Sequence, residues 1–108
     1  MTRTEILERA SACVCDEREQ DYGTPGDNFT TIGLLWSVYL RAAHPELQAA
    51  IEANGITPKD VGVMMALLKV ARIATGSSKD SYIDLAGYAA LAGEVDGDCA
   101  GIKEINHV

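Results

Sequence analysis

Apolar residues recur every three to four positions along most of the chain, which is the spacing of amphipathic helices. The first such stretch begins near Arg3, after Thr2 and Glu5, whose order fits a capping box. The apolar stripe of this helix gives way to a fully polar run at 16–21, where we expect the helix to end.

A second helix follows a loop at 22–28 that holds two glycines and a proline. Asp27 or Asn28 is the expected N-cap of this helix. The helix carries the only Trp and the only Phe of the chain, so we expect it to lie at the centre of the core. Its apolar positions are Phe29, Ile32, Leu35, Trp36, Tyr39 and Leu40.

The rest of the chain predicts a short insert helix between Pro45 and Asn54 and then two long helices. Thr57 is the expected cap of the first long helix, and a Gly-Ser-Ser turn at 76–78 separates the two. No alternation typical of strands occurs. The sequence therefore predicts an all-α antiparallel bundle of about four main helices plus the insert, at 1–95, with a loosely ordered tail at 96–108.

Composition and charge narrow the classes of function. The 108 residues suit one domain, and the formal net charge of −7 disfavours direct nucleic-acid binding, which needs clustered Lys and Arg. No apolar run is long enough for a membrane span, and no secretory pattern opens the chain. We therefore expect a soluble protein of the cytoplasm, with no membrane partner. The spacing of Cys13, Cys15 and Cys99 fits neither a disulfide framework nor a zinc site.

The stretch at 61–73 is apolar on almost every side of its helix. Such a helix is buried on more than one side, and in so small a domain a second chain is the expected cover. The sequence thus predicts a homodimer or tetramer.

The last helix carries Asp80, Asp84 and Tyr88 at four-residue steps, which places them on one face. In one interpretation the two carboxylates gather Mg²⁺, which in turn holds phosphate oxygens. In the other, Asp84 is buried and pairs with Lys69 or Arg72 across the hairpin. Lys69 and Arg72 lie three apart, so they form either a phosphate clamp or the partners of Asp84.

The loop before the second helix is a further candidate, because loops carry binding residues more often than other segments do. Tyr22 can stack on a base and Asn28 can hydrogen-bond to one; alternatively, the loop is only a tight turn. We expect Tyr22 and Asn28 to line the same cleft as Asp84.

Four motifs together resemble a phage and prophage family of small proteins. They are R-x-x-x-Y-G-x-P-x-x-N-F from Arg18, L-W-x-x-Y-L from Leu35, I-T-P-x-D-V-x-x-M-M-x-L-L-K-x-A-R from Ile56 and K-D-S-Y-I-D-x-A-G-Y-A-A-L from Lys79. The resemblance covers residues 4–94. The last motif also resembles phage nucleotide-modification-associated domains.

More distantly, the chain is similar to the MazG-like all-α nucleoside triphosphate pyrophosphohydrolases. Those enzymes hold Mg²⁺ with an E-x-x-E motif on one helix and an E-x-x-D motif on another. The stretch at 30–40, where the first motif would lie, has no carboxylate, and Asp80 and Asp84 are four apart rather than three. This departure therefore weakens the inference of a MazG-like activity more than it weakens the inference of a MazG-like fold.

Three hypotheses of function follow from the resemblance and from the residues. The first is a MazG-like nucleotide-binding protein, with or without Mg²⁺-dependent release of pyrophosphate, in which Asp80 and Asp84 hold the metal with an oxygen ligand from 27–28. The second is a non-catalytic binder that sequesters a nucleotide or nucleotide-derived second messenger. The third is a helical interaction protein. In the first two, the nucleotide-binding residues are Tyr22, Asn28, Lys69, Arg72 and Tyr88.

Overall fold

The structure, a computed structural model, describes residues 1–17, 24–76 and 79–96. Within these ranges the chain has five α-helices and no strand, which confirms the all-α prediction. The helices are α1 (Arg3–Ala12), α2 (Pro25–Ala43), α3 (Gln48–Asn54), α4 (Pro58–Thr75) and α5 (Lys79–Val95). A π-helical turn, Cys13–Glu17, continues α1, and a 3₁₀ turn, Pro45–Leu47, precedes α3. The predicted turn at 77–78 and the tail from 97 onward lie outside the described residues.

Capping threonines set where α1 and α4 begin, as the sequence predicts. The Thr2 hydroxyl accepts a hydrogen bond from the backbone N–H of Glu5 at 3.1 Å, and the Glu5 carboxylate accepts one from the N–H of Thr2. Thr57 and Asp60 form the same reciprocal pair at the start of α4, with distances of 3.2 and 3.0 Å. Each pair satisfies two donors that a helix start otherwise leaves without partners.

The start of α2 differs from the prediction. The helix begins at Pro25, and the Thr24 hydroxyl accepts a hydrogen bond from the N–H of Asp27 at 3.3 Å. The prediction that Asp27 or Asn28 caps this helix is therefore wrong. Proline fits the first helical position because its fixed φ suits the helix and its missing N–H would have no partner there.

The helices pack in the spatial order α1, α5, α4, α2, with α5 and α4 forming the most extensive pair. α5 contacts both α1 and α4, and α2 packs on α4 and only slightly on α5. Over the described ranges, α1 contacts neither α2 nor α4, and α3 packs on α2. The arrangement leaves one side of α4 and much of α2 uncovered.

Two glycines let the backbone elements approach closely. A Cβ atom at Gly62 of α4 would lie 2.7 Å from the Cβ of Ala92 on α5, so this crossing excludes any larger residue. At Gly33 of α2, a Cβ would collide with the carbonyl oxygen of Ile56. The buried Ser37 hydroxyl fixes the same contact, because it accepts a hydrogen bond from the Ile56 N–H at 3.1 Å.

The core is small and lies where α2, α4 and α5 meet. Its centre is Phe29, Val61 and Leu91, which are buried. Partly buried side chains surround this centre, namely Val14, Ile32, Trp36, Ile56, Met65, Tyr88 and Val95.

Not every apolar position of α2 faces the core. Leu35 and Tyr39 were predicted to be buried, yet their side chains are 64% and 66% exposed. Because the most extensive contact of α2 within the described residues is with α4, the side that carries Phe29 and Trp36 is the one that this contact covers. Leu7, an apolar residue of α1, is likewise exposed.

Candidate functional site

A cleft of about 440 Å³ opens between α1 and the start of α5. Its volume falls within the ~300–1,000 Å³ range of small-molecule sites. The described residues that line it are Arg9, Ala12, Cys13, Asp80, Ile83 and Asp84. Polar and charged groups thus come from two helices that are far apart in the sequence.

One wall comes from the end of α1 and the start of the π-helical turn. Arg9 and Cys13 are four residues apart and Ala12 lies between them, so all three share one face of the helix. Next to this wall, Val14 packs so closely on α5 that a Cβ atom at Gly87 would lie 2.9 Å from its Cγ1. This contact fixes the wall against α5 at a point one turn beyond the cleft.

The other wall is the first two turns of α5. Asp80 is exposed in the first turn, where a carboxylate interacts favourably with the N-terminal end of the helix. Ile83, which is buried, forms the apolar part of this wall. Asp84 lies one turn after Asp80 and is partly exposed to the cleft.

Asp84 is paired with Lys69 across the α4–α5 hairpin. The Lys69 Nζ lies 3.0 Å from the Asp84 Oδ2, with the two side chains 15% and 38% exposed. The geometry agrees with the interpretation of Asp84 as an ion-pair partner and identifies Lys69, rather than Arg72, as that partner. The part of the prediction that Asp84 is buried is wrong, because its side chain is partly exposed. Lys69 is more buried than Asp84, so its ammonium has less contact with water. The ammonium therefore depends on the Asp84 carboxylate for stabilisation more than the carboxylate depends on the ammonium.

The remaining predicted site residues lie elsewhere. Arg72 is exposed in the last turn of α4, and Tyr88 is packed against the core. Asn28 is half-buried in the first turn of α2. None of these three lines the cleft, and Tyr22 lies outside the described residues.

The donor set for a metal ion is limited. Over residues 1–17, 24–76 and 79–96, no group of three or more His, Cys, Asp or Glu side chains is arranged to hold a metal. Mg²⁺ commonly takes one or two carboxylates together with substrate phosphates. Asp80 could supply one carboxylate, and Asp84 could supply a second through Oδ1, although the Lys69 ammonium beside Oδ2 already offsets its charge. The donor expected from Asp27 or Asn28 does not line this cleft.

Arg9 and Cys13 are the site residues that sequence reasoning missed. Both belong to an N-terminal helix whose only signal is ordinary amphipathic spacing. Their position depends on the packing of α1 against α5, which brings together segments some seventy residues apart in the chain. No local motif encodes that contact.

The cleft and its helices lie within a segment that matches a known family. Residues 5–96 match the family model described as "Domain of unknown function (DUF6378)". The chain belongs to this family. The DUF6378 match covers every described residue that lines the cleft.

Comparison with curated proteins connects this DUF6378 chain to bacteriophages. It is 38% identical over 87 residues to the Gene 55 protein of Mycobacterium phage L5, covering 80% of this chain and 49% of that protein. It is 40% identical over 85 residues to the Gene 55 protein of Mycobacterium phage D29, covering 78% of this chain and 48% of that protein. The chain thus spans about half the length of the curated relatives it matches. The predicted resemblance to a phage family is confirmed.

Two further findings bear on the predictions. No solved structure matches the chain. Across the described part of the chain, none of the helices has the length and apolarity needed to cross a membrane.

Proposed function

We propose that this chain binds a nucleotide or a nucleotide-derived small molecule in the cleft between α1 and α5 and holds it without hydrolysing it. The observation that carries the proposal is the placement of Arg9 on one wall, with Asp80 and Asp84 on the other. A ligand that bridges these walls must carry an anionic group and hydrogen-bond donors together.

A nucleotide has this combination of groups. The Arg9 guanidinium can form two parallel hydrogen bonds with one phosphate. The carboxylates of Asp80 and Asp84 accept hydrogen bonds from ribose hydroxyls or base amino groups. Ala12 and Ile83 offer apolar surface to a base or sugar. Without a metal, the Asp80 carboxylate repels additional phosphates, so this arrangement favours a ligand with few phosphates over a triphosphate.

The position of Lys69 favours ligand binding without hydrolysis. Its ammonium neutralises Asp84 at 3.0 Å, which is the role that a metal ion would otherwise have at this carboxylate. Lys69 is also too covered, at 15% exposure, to act as a freely moving phosphate ligand while the pair is intact.

The second candidate function is the Mg²⁺-dependent hydrolysis expected of a MazG-like bundle. The observation in its favour is that Asp80 and Asp84 stand one turn apart on a cleft wall, as a helix-borne metal pair would. In this case the metal would displace Lys69 from Asp84, and the Lys69 ammonium would be available to offset phosphate charge. The metal would supply charge neutralisation and orientation of the phosphates.

The experiment that tests the proposal is a thermal-shift and calorimetric titration with nucleoside mono-, di- and triphosphates and cyclic dinucleotides, with and without Mg²⁺. A ligand present at one hundred times its Kd adds about 2.7 kcal/mol to the free energy of unfolding. We expect binding without Mg²⁺ and no release of pyrophosphate or phosphate. Mg²⁺-dependent pyrophosphate release would instead establish the second candidate.

Arg9→Ala is the variant that locates the site. It should abolish the ligand-induced shift while leaving the unliganded protein as stable as before, because the Arg9 side chain is exposed. Arg41→Ala, which removes an exposed arginine from the last turn of α2, is the matched control and should bind normally. Equal binding by both variants, or no binding by the wild-type chain, would exclude this cleft as the site.

A further inference from the structure

Opposite its packed side, α4 presents a row of apolar side chains to solvent. Its five large members are 44–59% exposed, and the row contains no charged residue. We call this row the α4 face; it comprises Val63, Met64, Leu67, Leu68 and Val70, with the smaller Ala71 and Ala74 beside them.

A second exposed apolar row lies on α2, the helix that packs against α4. These side chains are 55–66% exposed. We call this row the α2 face; it comprises Leu34, Leu35, Val38 and Tyr39. Among the residues that the structure describes, nine large apolar side chains on two neighbouring helices are therefore about half exposed in a single chain.

We propose that the α4 face, flanked by the α2 face, is where a second copy of this chain docks to form a two-fold symmetric dimer. This inference does not depend on the proposed ligand, since none of the residues in either face lines the cleft.

The exposed area matches what a stable dimer needs. Full burial of one such side chain removes roughly 60–120 Å² of apolar surface from water. With about half of each side chain exposed, burial of the α4 face alone would remove roughly 150–300 Å² of apolar surface per chain, and burial of both faces roughly 270–540 Å². Because apolar atoms make up roughly 60% of an interface, burial of both faces gives a total of roughly 450–900 Å² per chain, which reaches the standard ~800 Å² only at its upper end.

Charge favours the α4 face over the charged parts of the surface as the place where a second copy docks. The chain carries a formal charge of −7, so two copies repel each other. The α4 face is free of charge and can complement itself, as a two-fold interface requires. Leu67 lies four residues after Val63 and three before Val70, so an antiparallel crossing at Leu67 places the Val63 end of one copy beside the Val70 end of the other.

Multi-angle light scattering after size-exclusion chromatography, at about 1 to 100 µM chain, tests the proposal. The wild-type chain should have twice its monomer mass of 11.5 kDa. Leu67→Glu should raise the dimer dissociation constant roughly a hundredfold or more, because each dimer would bury two carboxylates at its centre. Circular dichroism should show unchanged helix content, since Leu67 is 59% exposed in the single chain.

Leu7→Glu is the matched control, because Leu7 is equally exposed but lies on α1, away from both faces. This variant should remain a dimer. A wild-type chain that stays monomeric at 100 µM would overturn the proposal. Dissociation by Leu7→Glu, or a fully dimeric Leu67→Glu, would also overturn it.

Discussion

From the ion pair between Lys69 and Asp84 we predict that removing one partner destabilises the chain more than removing the other. Asp84→Asn leaves the Lys69 ammonium, whose side chain is only 15% exposed, without its partner. Lys69→Met leaves a carboxylate that is 38% exposed and can be hydrated from the cleft, and Met keeps much of the packing of the Lys stem. Asp84→Asn should therefore destabilise the chain more than Lys69→Met does.

The expected magnitudes lie between two limits. Exposed ion pairs contribute about 0.2–1 kcal/mol, whereas breaking a fully buried pair costs about 3–5 kcal/mol. With one partner mostly covered and the other partly open, we expect about 1.5–3 kcal/mol for Asp84→Asn and about 0–1 kcal/mol for Lys69→Met. In a domain of this size, each kcal/mol lowers Tm by about 4–8 °C.

Urea denaturation of the wild type, the two single variants and the double variant, at one chain concentration, measures these values and the coupling between the residues. A coupling energy below about 0.5 kcal/mol, or a Lys69→Met variant less stable than Asp84→Asn, would refute the reasoning. If Asp84 serves a metal instead, Asp84→Asn should hold or raise stability in the absence of Mg²⁺, because it relieves repulsion with Asp80.

Two further predictions concern packing. Gly62→Ala should lower the free energy of unfolding, measured by urea denaturation, by about 1–3 kcal/mol because the added methyl group overpacks the α4–α5 crossing. Gly93→Ala, on the exposed side of the same helix pair, should raise the free energy of unfolding by up to about 1 kcal/mol. Ser37→Ala should lower the free energy of unfolding by about 1–3 kcal/mol because the Ile56 N–H loses its acceptor. Thr31→Ala, on the exposed side of α2, should lower it clearly less. Equal losses of stability in the two variants would contradict the assigned role of the Ser37 hydroxyl.

The helices of this chain could be predicted from the sequence because their signals are local. Thr57 followed by Pro58 was recognised as a cap and a first helical residue, and Thr24 followed by Pro25 is the same pattern. The second instance was missed because the neighbouring glycines favoured a loop. The repeated Thr-Pro pair was therefore the available signal for the true start of α2.

Which side of each helix is covered could not be predicted, because that depends on contacts between distant segments. Periodicity alone treats Phe29 and Leu35 alike, yet one is fully buried and the other is 64% exposed. Similarly, the four-residue spacing of Asp80, Asp84 and Tyr88 predicts one stripe, but the packing of α4 and α1 against α5 divides it. The two aspartates line the cleft, and the tyrosine packs against the core.

The attachment of α1 has a consequence for its motion. Over the described ranges, α1 packs on α5 and on no other long helix. A helix held by a single neighbour can detach while the rest of the fold persists, so its amide hydrogens should exchange with solvent at a lower free energy than those of α4 and α5. Because Arg9 and the two aspartates stand on opposite sides of that one attachment, a molecule that joins them would clamp α1 in place, and slowed exchange in α1 would report its presence.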